Sequence, residues 1–357
     1  MSGAMNGTMS DTMTNDTPLL EVKGLSKYFP ITQGILNRQV GEVRAVDDVN
    51  FFIEEGETLG LVGESGCGKT TIARCILRWV RATSGEILFR QEDGSTVDMT
   101  RVSTQELRAL RREIQLVFQD PFASLNPRQT VFDIVGEPLL VQGMKNRAER
   151  REHVGEILRM VGLRPEYMQR YPHAFSGGER QRIGIARALI LNPRLVVADE
   201  PVSALDVSVQ AQVLNLLMRL QDQLGLTYLF VAHDLSVVRH ISNRVVVMYV
   251  GQVVEVSPTR SLFAMPRHPY TSALLNAVPV PDPRARSVMN ELKGEVANPA
   301  NPPSGCYFHP RCPHVIERCK VERPALEEIE PGRYVRCHRA RELELAGIQD
   351  HEAAALT

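Results

Sequence analysis

A glycine-rich segment near the start of the chain constrains its fold more than any other feature. Residues 63–70 read Gly-Glu-Ser-Gly-Cys-Gly-Lys-Thr and match the pattern G-x-x-x-x-G-K-[ST]. The segment follows an apolar run, Thr58–Val62, and precedes a helical pattern over Thr71–Val80. A strand, a glycine loop and a helix in this order form a phosphate-binding turn. The sequence therefore predicts an α/β fold built around a phosphate site.

The residue types of this segment, here called the phosphate loop (residues 63–70), suit a nucleoside triphosphate with Mg²⁺. Successive backbone N–H groups of a glycine-rich turn can surround a phosphate, and the start of the next helix adds positive potential. Lys69 is placed to reach the β- and γ-oxygens, and Thr70 offers a hydroxyl group to Mg²⁺. The predicted ATP-binding residues are Gly63, Glu64, Ser65, Gly66, Cys67, Gly68, Lys69, Thr70 and Thr71.

A second apolar strand ends in two acidic residues. The run Leu195–Ala198 is followed directly by Asp199 and Glu200. A carboxylate at the end of a strand beside a phosphate loop can hold the water shell of Mg²⁺, and a second one can polarise the attacking water. We therefore predict that Asp199 belongs to the magnesium site and that Glu200 is catalytic.

Apolar runs of strand length alternate with helical patterns over residues 19–265, which is typical of an α/β domain. The strands stop between about residues 126 and 192, where apolar residues recur at helical spacing, so a helical subdomain is predicted there. Prolines then become frequent and indicate a loop-rich C-terminal extension over residues 266–340. Residues 1–18 are predicted to be a disordered leader, and residues 341–357 a tail.

The composition disfavours several classes of protein. The formal net charge is -1, so the chain lacks the global basic footprint of nucleic-acid-binding proteins. No apolar run approaches the roughly 20 residues that a membrane span needs. The first residues lack a basic segment followed by an apolar stretch, so no secretory signal is predicted. The chain is expected to stay in the cytosol and to reach a membrane only by docking to other chains.

A glycine pair at the start of a helical pattern indicates the family that this chain resembles. Phe175–Arg182 reads Phe-Ser-Gly-Gly-Glu-Arg-Gln-Arg and resembles the signature of the ABC ATPase superfamily, usually written LSGGQ. Phe175 and Glu179 depart from that pattern, and Glu179 brings a carboxylate toward a phosphate. The resemblance implies that each signature binds the ATP of the opposite subunit, so that two chains close head to tail. The signature residues are Ser176, Gly177, Gly178 and Glu179.

Further segments resemble ABC motifs in the expected order. Gln119 in VFQDP resembles the glutamine that touches Mg²⁺ and relays the nucleotide state to a membrane partner. Asp206 in SALD resembles the D-loop at the dimer interface, and His233 resembles the switch histidine that contacts the γ-phosphate. The resemblance thus implies catalytic roles for Glu200, His233 and Gln119, and a Mg²⁺ ion held through Thr70, Gln119 and Asp199.

An aromatic residue that follows a lysine ahead of the phosphate loop stacks on adenine in this family. In Leu-Ser-Lys-Tyr-Phe-Pro, residues 25–30, that residue is Phe29, with Tyr28 as the alternative. Packing in the protein core is the competing interpretation, because either ring could face inward.

Four of the six cysteines, Cys306, Cys312, Cys319 and Cys337, lie near the C-terminus. Their spacing is looser than the C-x₂₋₄-C pairs of zinc ribbons, whereas four thiolates on loops suit an iron–sulfur cluster. The stretch also resembles the C-terminal extension of oligopeptide and dipeptide importer ATPases, several of which hold a 4Fe–4S cluster. The resemblance therefore implies the four cysteines as cluster ligands. Zinc, or reduced thiols without a metal, are the alternatives.

Other features match the same importer group. They are the segment Arg267–Thr271, the run EPVSALDVSVQAQVLNLL and an extended loop before Ala45. The extended loop resembles that of the second of the two ATPase subunits that such importers use. The predicted fold is thus an α/β P-loop NTPase domain of the ABC ATPase type with a helical insertion, followed by a small loop-rich cysteine module.

The resemblance implies an ATP-hydrolysing subunit that powers import of di- and oligopeptides across the bacterial inner membrane. It would lie peripherally at the cytoplasmic face. The expected partners are a paralogous ABC ATPase subunit, two transmembrane permease subunits and a periplasmic substrate-binding protein, without nucleic acid. Import of nickel or another small solute is one alternative. A soluble ABC ATPase is another, which the neutral charge and the single cassette disfavour.

Overall fold

The computed structural model describes residues 17–34, 38–277 and 294–348. Most of the predicted leader (residues 1–18) and residues 349–357 of the predicted tail lie outside these ranges. The described ranges contain two β-sheets and ten α-helices.

The strands of the described chain form a four-stranded and an eight-stranded sheet. In chain order they are β1 (Leu20–Gln33), β2 (Arg38–Ile53), β3 (Thr58–Val62), β4 (Ser84–Arg90), β5 (Thr96–Asp98), β6 (Ile114–Val117), β7 (Leu195–Asp199), β8 (Thr227–Val231), β9 (Arg244–Tyr249), β10 (Gln252–Pro258), β11 (Glu327–Glu330) and β12 (Arg333–Val335). The smaller sheet has the order β2-β1-β4-β5, and the larger has the order β11-β12-β10-β9-β3-β8-β7-β6.

The α-helices of the described chain lie between or after these strands in the sequence. In chain order they are α1 (Lys69–Ile76), α2 (Thr104–Glu113), α3 (Val131–Val141), α4 (Arg147–Met160), α5 (Gly177–Leu189), α6 (Val207–Leu224), α7 (Leu235–Ile241), α8 (Thr259–Ala264), α9 (Pro269–Asn276) and α10 (Glu317–Val321). Helices α3, α4 and α5 lie between β6 and β7, within the range predicted to be helical.

Parallel strands at the centre of the larger sheet position the phosphate loop. β3 pairs in parallel with β8 on one side and with β9 on the other, and all its residues are buried. A parallel strand that is covered on both faces needs a continuous apolar run, which is why this strand is recognisable in the sequence. β7 also runs parallel to β8, so the carboxyl ends of β3 and β7 meet at one edge of the sheet.

The smaller sheet is antiparallel, and the sequence pattern does not predict its strands individually. β1 pairs with both β2 and β4, and its register against β2 shifts at several points. Each shift breaks the alternation of buried and exposed residues. The periodic signal in these long strands is correspondingly weak.

The C-terminal extension is predicted to be loop-rich, and the structure shows in addition that it completes the larger sheet. β12 pairs antiparallel with β10, and β11 pairs with β12 at the edge. These strands have three and four residues, which is too short for a recognisable pattern. The extension is therefore continuous with the nucleotide-binding part of the chain.

A fully buried carboxylate on β10 holds the extension in place. Glu255 accepts hydrogen bonds from the backbone N–H groups of Arg267 (2.8 Å) and His268 (2.9 Å), which lie just before α9. Its carboxylate also lies 3.8 Å from the guanidinium of Arg333 on β12. Burial raises the pKa of Glu255, and the hydrogen bonds and Arg333 oppose that rise. One side chain thus connects β10 with two segments beyond it.

We expect Glu255→Ala to lower the free energy of unfolding by about 2–5 kcal/mol, because it leaves the buried backbone N–H donors of Arg267 and His268 without their acceptor. Urea unfolding measures the change, and Glu327→Ala on the exposed part of β11 is the matched control, expected within about 0.5 kcal/mol of the parent. Equal unfolding midpoints for the two variants would contradict this role of Glu255.

Candidate nucleotide-binding site

The phosphate loop joins β3 to α1 in a conformation that requires glycine. Gly63 and Gly68 have φ values of 150° and 108°. A Cβ atom at Gly63 would collide with the carbonyl oxygen of Met248, and one at Gly68 with the carbonyl oxygen of Ala45. Larger residues at these positions would therefore push the loop away from β2 and β9.

Lys69 begins α1 and is buried, with 6% of its surface exposed. Its Nζ atom donates to the carbonyl oxygens of Gly63 (2.7 Å) and Glu64 (3.2 Å). The loop thus holds the ammonium group by its own backbone, at the centre of the turn. Negatively charged phosphate oxygens would bind this ammonium group more strongly than the carbonyl oxygens do.

A cavity of ≈ 510 Å³ opens above the loop. Its lining combines the phosphate loop with residues from separate parts of the chain, namely Ala45, Ser65, Gly66, Gly68, Lys69, Thr70, Thr71, Gln119, Glu200 and His233. The volume falls in the range of small-molecule sites. The structure therefore brings Gln119, Glu200 and His233, which are predicted from three separate motifs, to one cavity.

Glu200 lies at the centre of the polar side chains in this cavity. Its carboxylate accepts a hydrogen bond from Gln119 Nε2 (2.9 Å), and the same oxygen lies 3.1 Å from His233 Nδ1. The backbone of Glu200 has a φ of 48°, a left-handed conformation that is costly for a residue other than glycine. Strain of this kind is maintained where it orients a functional side chain.

The other acid of the pair lies deeper. Asp199 Oδ1 accepts a hydrogen bond from the hydroxyl group of Thr70 at 3.4 Å. Burial raises the pKa of Asp199, and the neighbouring charge of Glu200 raises it further. A cation beside the two oxygen-bearing side chains would relieve both effects.

The signature residues do not line this cavity. Ser176 is the N-cap of α5, and Gly177 and Gly178 form its first turn. A Cβ atom at Gly178 would lie 2.5 Å from Val209 on α6, so this position has no room for a side chain. Asp206 likewise lies elsewhere, as the N-cap of α6. Within one chain, the signature residues and Asp206 are thus separate from the cavity at the phosphate loop, although the ABC resemblance expects both to contact one ATP.

The two departures from the usual signature have local explanations. Phe175 is buried and packs edge-on against Tyr167, with ring centroids 5.7 Å apart, so it contributes to the core of the helical part. The Glu179 carboxylate accepts hydrogen bonds from the backbone N–H (2.9 Å) and hydroxyl (2.8 Å) of Ser176, which forms a capping box. These hydrogen bonds lower the pKa of Glu179.

The two aromatic candidates for adenine differ in their surroundings. The hydroxyl group of Tyr28 donates to Asp47 at 2.7 Å, which fixes this side chain on the protein. Phe29 is 38% exposed, and the Lys27 ammonium lies 4.8 Å from the centroid of its ring. Neither ring lines the cavity above the phosphate loop.

The sequence does not predict two contacts that the extension makes with the phosphate loop. Arg311 forms a two-pronged ion pair with Glu64, and Tyr270 accepts a hydrogen bond from the Glu64 backbone N–H. The partners are 247 and 206 residues apart. A local sequence pattern cannot predict contacts between residues so far apart in the chain. The only sequence signal is that Tyr270 lies in the segment Arg267–Thr271, which resembles the importer group.

The four C-terminal cysteines border one small cavity, but the predicted iron–sulfur cluster is wrong. No group of three or more histidine, cysteine, aspartate or glutamate side chains in the described ranges could hold a metal ion. The cavity measures ≈ 10 Å³, about the space of one water molecule, which is far too small for a cluster. The zinc alternative likewise finds no set of ligands among the residues that the structure describes. The residues concerned are Cys306, Cys312, Cys319 and Cys337.

Burial also affects the protonation of three of these thiols. Burial raises the pKa of Cys306, Cys312 and Cys337 to about 11, so the thiol form persists at neutral pH. The four cysteines therefore pack as small apolar residues beside Phe308.

Comparisons with known proteins decide the family. The family described as "ABC transporter" matches residues 46–203, and the family described as "Oligopeptide/dipeptide transporter, C-terminal region" matches residues 254–319. The oligopeptide transport ATP-binding protein AppF of Bacillus subtilis is 54% identical over 331 residues, which cover 92% of this chain and 99% of the relative. The chain belongs to the ABC transporter ATP-binding proteins.

Further ABC relatives agree with this assignment. The probable peptide ABC transporter ATP-binding protein y4tS of Sinorhizobium fredii is 51% identical over 338 residues, or 95% of this chain and 94% of the relative. Among solved structures, the dimeric ATP-binding cassette MJ0796 bound to ADP and Pi is 30% identical, with a TM-score of 0.58. It covers 68% of this chain and 99% of its own length.

The family and the fold confirm the predicted α/β P-loop architecture and ATP hydrolysis as the activity of this ABC ATPase. ATP and Mg²⁺ are accordingly its substrate and cofactor. In the described ranges, no helix combines the length and the apolar character needed to cross a bilayer.

We expect Glu179→Ala to destabilise this ABC ATPase by about 1 kcal/mol and Glu179→Gln by less, because glutamine can also close a capping box. The folded-state pKa of Glu179 is lowered, so its charge stabilises the protein above the ordinary glutamate pKa of about 4.3. That contribution is lost as the pH falls through the folded-state pKa.

Urea unfolding at pH 7 and at successively lower pH measures both effects. The difference in the free energy of unfolding between the parent and Glu179→Gln should become smaller as the pH is lowered. A constant difference between the two proteins across that range would show that the carboxylate charge contributes nothing at the signature.

Proposed function

We propose that this chain is the ATP-hydrolysing subunit of an importer of di- and oligopeptides. The observation that carries this proposal is the match of residues 254–319 to the C-terminal region of oligopeptide/dipeptide transporters. Relatives at 54% and 51% identity are named as oligopeptide and peptide transport ATP-binding proteins, and they align over nearly the whole chain. The extension that matches this family is built into the main sheet and contacts the phosphate loop.

ATP binds with its phosphates in the turn of residues 63–70. The backbone N–H groups at the start of α1 and the ammonium group of Lys69 provide the positive potential for the β- and γ-oxygens. Phe29 stacks on adenine, because its ring is exposed while Tyr28 is tied to Asp47. The ATP-binding residues are those predicted from the motif: Gly63, Glu64, Ser65, Gly66, Cys67, Gly68, Lys69, Thr70 and Thr71.

The side chains beside Lys69 fit a magnesium ion. Thr70, Asp199 and Gln119 line a neighbouring cavity and offer hydroxyl, carboxylate and amide oxygens, and hard oxygen donors are the ligands that Mg²⁺ prefers. Held by these residues, Mg²⁺ would neutralise the negative charge that develops on the phosphate oxygens. Burial and the neighbouring Glu200 raise the pKa of Asp199 by more than Arg74, Thr70 and Lys69 lower it, so an added cation would stabilise its charged form.

Glu200 orients the attacking water and accepts its proton. Gln119 and His233 fix the position of its carboxylate through contacts of 2.9 and 3.1 Å to the same oxygen. His233 is more exposed than Glu200, with 58% and 17% of their side chains accessible, so it can face the γ-phosphate from the open side. Little covalent chemistry is required of the protein, because positioning and electrostatics dominate phosphoryl transfer.

A second ATPase subunit completes the site. Ser176 and the backbone N–H groups of Gly177 and Gly178 stand at the N-terminus of α5, which suits an anion. They lie outside the cavity of their own chain, so they serve the nucleotide of the opposite subunit. Asp206 at the start of α6 belongs to the same interface. The partner subunit is a paralogue in this proposal.

The complex also contains two transmembrane permeases and receives peptide from a periplasmic substrate-binding protein. The ATPase docks peripherally at the cytoplasmic face of the inner membrane. Gln119 lines the cavity, and Phe122, three residues further along the chain, is 55% exposed, so nucleotide-driven closure can be passed to a membrane partner through this segment.

We expect Glu200→Gln to bind ATP with near-parental affinity while losing at least about 100-fold in the rate of hydrolysis, because the amide cannot take the proton from water. Mixed with its partner ATPase subunit, the variant should accumulate as an ATP-bound dimer in size-exclusion chromatography. Asp222→Asn, an exposed substitution on α6, is the control and should hydrolyse at the parental rate. Parental hydrolysis by Glu200→Gln would exclude Glu200 as the base.

We expect Lys69→Ala to weaken ATP binding itself, by at least about tenfold, because it removes the buried positive charge from the phosphate loop. Titration with a fluorescent ATP analogue measures the dissociation constant. Unchanged affinity would place the phosphates away from the loop.

The importer assignment is tested by capturing the tagged chain from gently solubilised native membranes and identifying its partners by mass spectrometry. Two polytopic proteins, a second ATPase and a peptide-binding protein from the same gene cluster support peptide import. A nickel-binding or other solute-binding protein in the complex would redirect the proposal to that solute. Recovery of soluble partners alone would contradict transport.

A further inference from the structure

Glu64 of the phosphate loop is held by the C-terminal extension at both its side chain and its backbone. Arg311 Nη1 donates to Glu64 Oε2 at 3.0 Å, and Arg311 Nη2 donates to Glu64 Oε1 at 3.2 Å. The Glu64 backbone N–H donates to the hydroxyl group of Tyr270 at 3.0 Å. A two-pronged guanidinium–carboxylate pair fixes direction as well as distance.

The two residues of the extension are themselves rigidly seated. Tyr270 is fully buried, with its ring centroid 4.7 Å from that of Tyr249 and 5.5 Å from that of Phe308. The Arg311 side chain is 7% exposed, and its guanidinium lies within about 6 Å of the same two aromatic rings, at 5.8 and 6.0 Å. The contact with Glu64 is therefore pre-organised rather than a flexible surface pair.

The chemistry of the phosphate loop explains why such a contact matters. A carboxylate in the loop repels the phosphates that the loop must bind, by an amount that grows as water is excluded from the site. The Arg311 guanidinium neutralises the Glu64 carboxylate and directs it toward the extension. The Glu64 carbonyl oxygen meanwhile accepts a hydrogen bond from Lys69, so displacement of Glu64 would also disturb the phosphate-binding lysine.

We propose that Arg311, together with Tyr270, is a positioning residue for ATP, which acts through Glu64 and makes the C-terminal extension a structural part of the nucleotide site. The inference rests on ATP binding at the phosphate loop and does not depend on the solute that is transported. Loss of Arg311 leaves the Glu64 carboxylate uncompensated beside the phosphates. Affinity for ATP then falls, while the catalytic residues around Glu200 are untouched.

The test is a double-mutant cycle in the full-length chain, with ATP affinity and the maximal hydrolysis rate measured for each protein. Arg311→Gln should weaken ATP binding about tenfold and leave the rate at saturating ATP within about twofold. Arg341→Gln is the control, because Arg341 also lies in the extension and donates to backbone carbonyl groups of residues 328 and 329. It should leave both values unchanged.

The decisive comparison uses a neutral residue at position 64. In a Glu64→Gln background, Arg311→Gln should change ATP affinity by less than about twofold, because the carboxylate that Arg311 compensates is gone. An equal loss in both backgrounds, or no loss in the Glu64 protein, would overturn the proposal. If Arg311→Gln does not fold, Arg311→Lys replaces it. A smaller loss of ATP affinity is then expected, and this loss should again disappear in the Glu64→Gln background. An equal loss of affinity in both backgrounds would overturn the proposal in this case also.

Discussion

The position of one buried ammonium group organises this site. Lys69 lies at the first turn of α1, where carbonyl oxygens of its own loop hold it in place of a phosphate. That arrangement needs glycine at positions 63 and 68, because both residues have positive φ values and because carbonyl groups of β2 and β9 approach them too closely for a side chain. The loop is therefore as much a product of the surrounding sheet as of its motif, and the C-terminal extension contacts it through Glu64.

The chemistry is divided between two surfaces that one chain keeps apart. Around the phosphate loop, Gln119 and His233 converge on one oxygen of Glu200, while the signature lies at the N-terminus of α5, outside that cavity. In the function proposed above, each chain holds half of each site, and hydrolysis depends on closure against a second subunit. Such an arrangement makes ATP itself the contact between subunits, which links nucleotide state to movement.

The predictable part of this structure is the part with local or periodic signals. The strand before the phosphate loop, the acids after β7 and the capping residues of α5 are each contained in a few consecutive residues. The strands β11 and β12, the Glu255 anchor and the Arg311–Glu64 pair are not predictable, because they depend on contacts between distant segments. The cysteine spacing was misleading, since four thiols near one another do not form a metal site when the space between them is closed.

The central claim is that ATP hydrolysis at this site drives peptide import. The most direct measurement is uptake of a labelled tripeptide into proteoliposomes that contain the complex captured through this chain, with ATP and Mg²⁺ on the side of the ATPase. The account predicts uptake that requires ATP with the parental chain and is lost with Glu200→Gln. A parental complex that hydrolyses ATP at its full rate without moving peptide would contradict it.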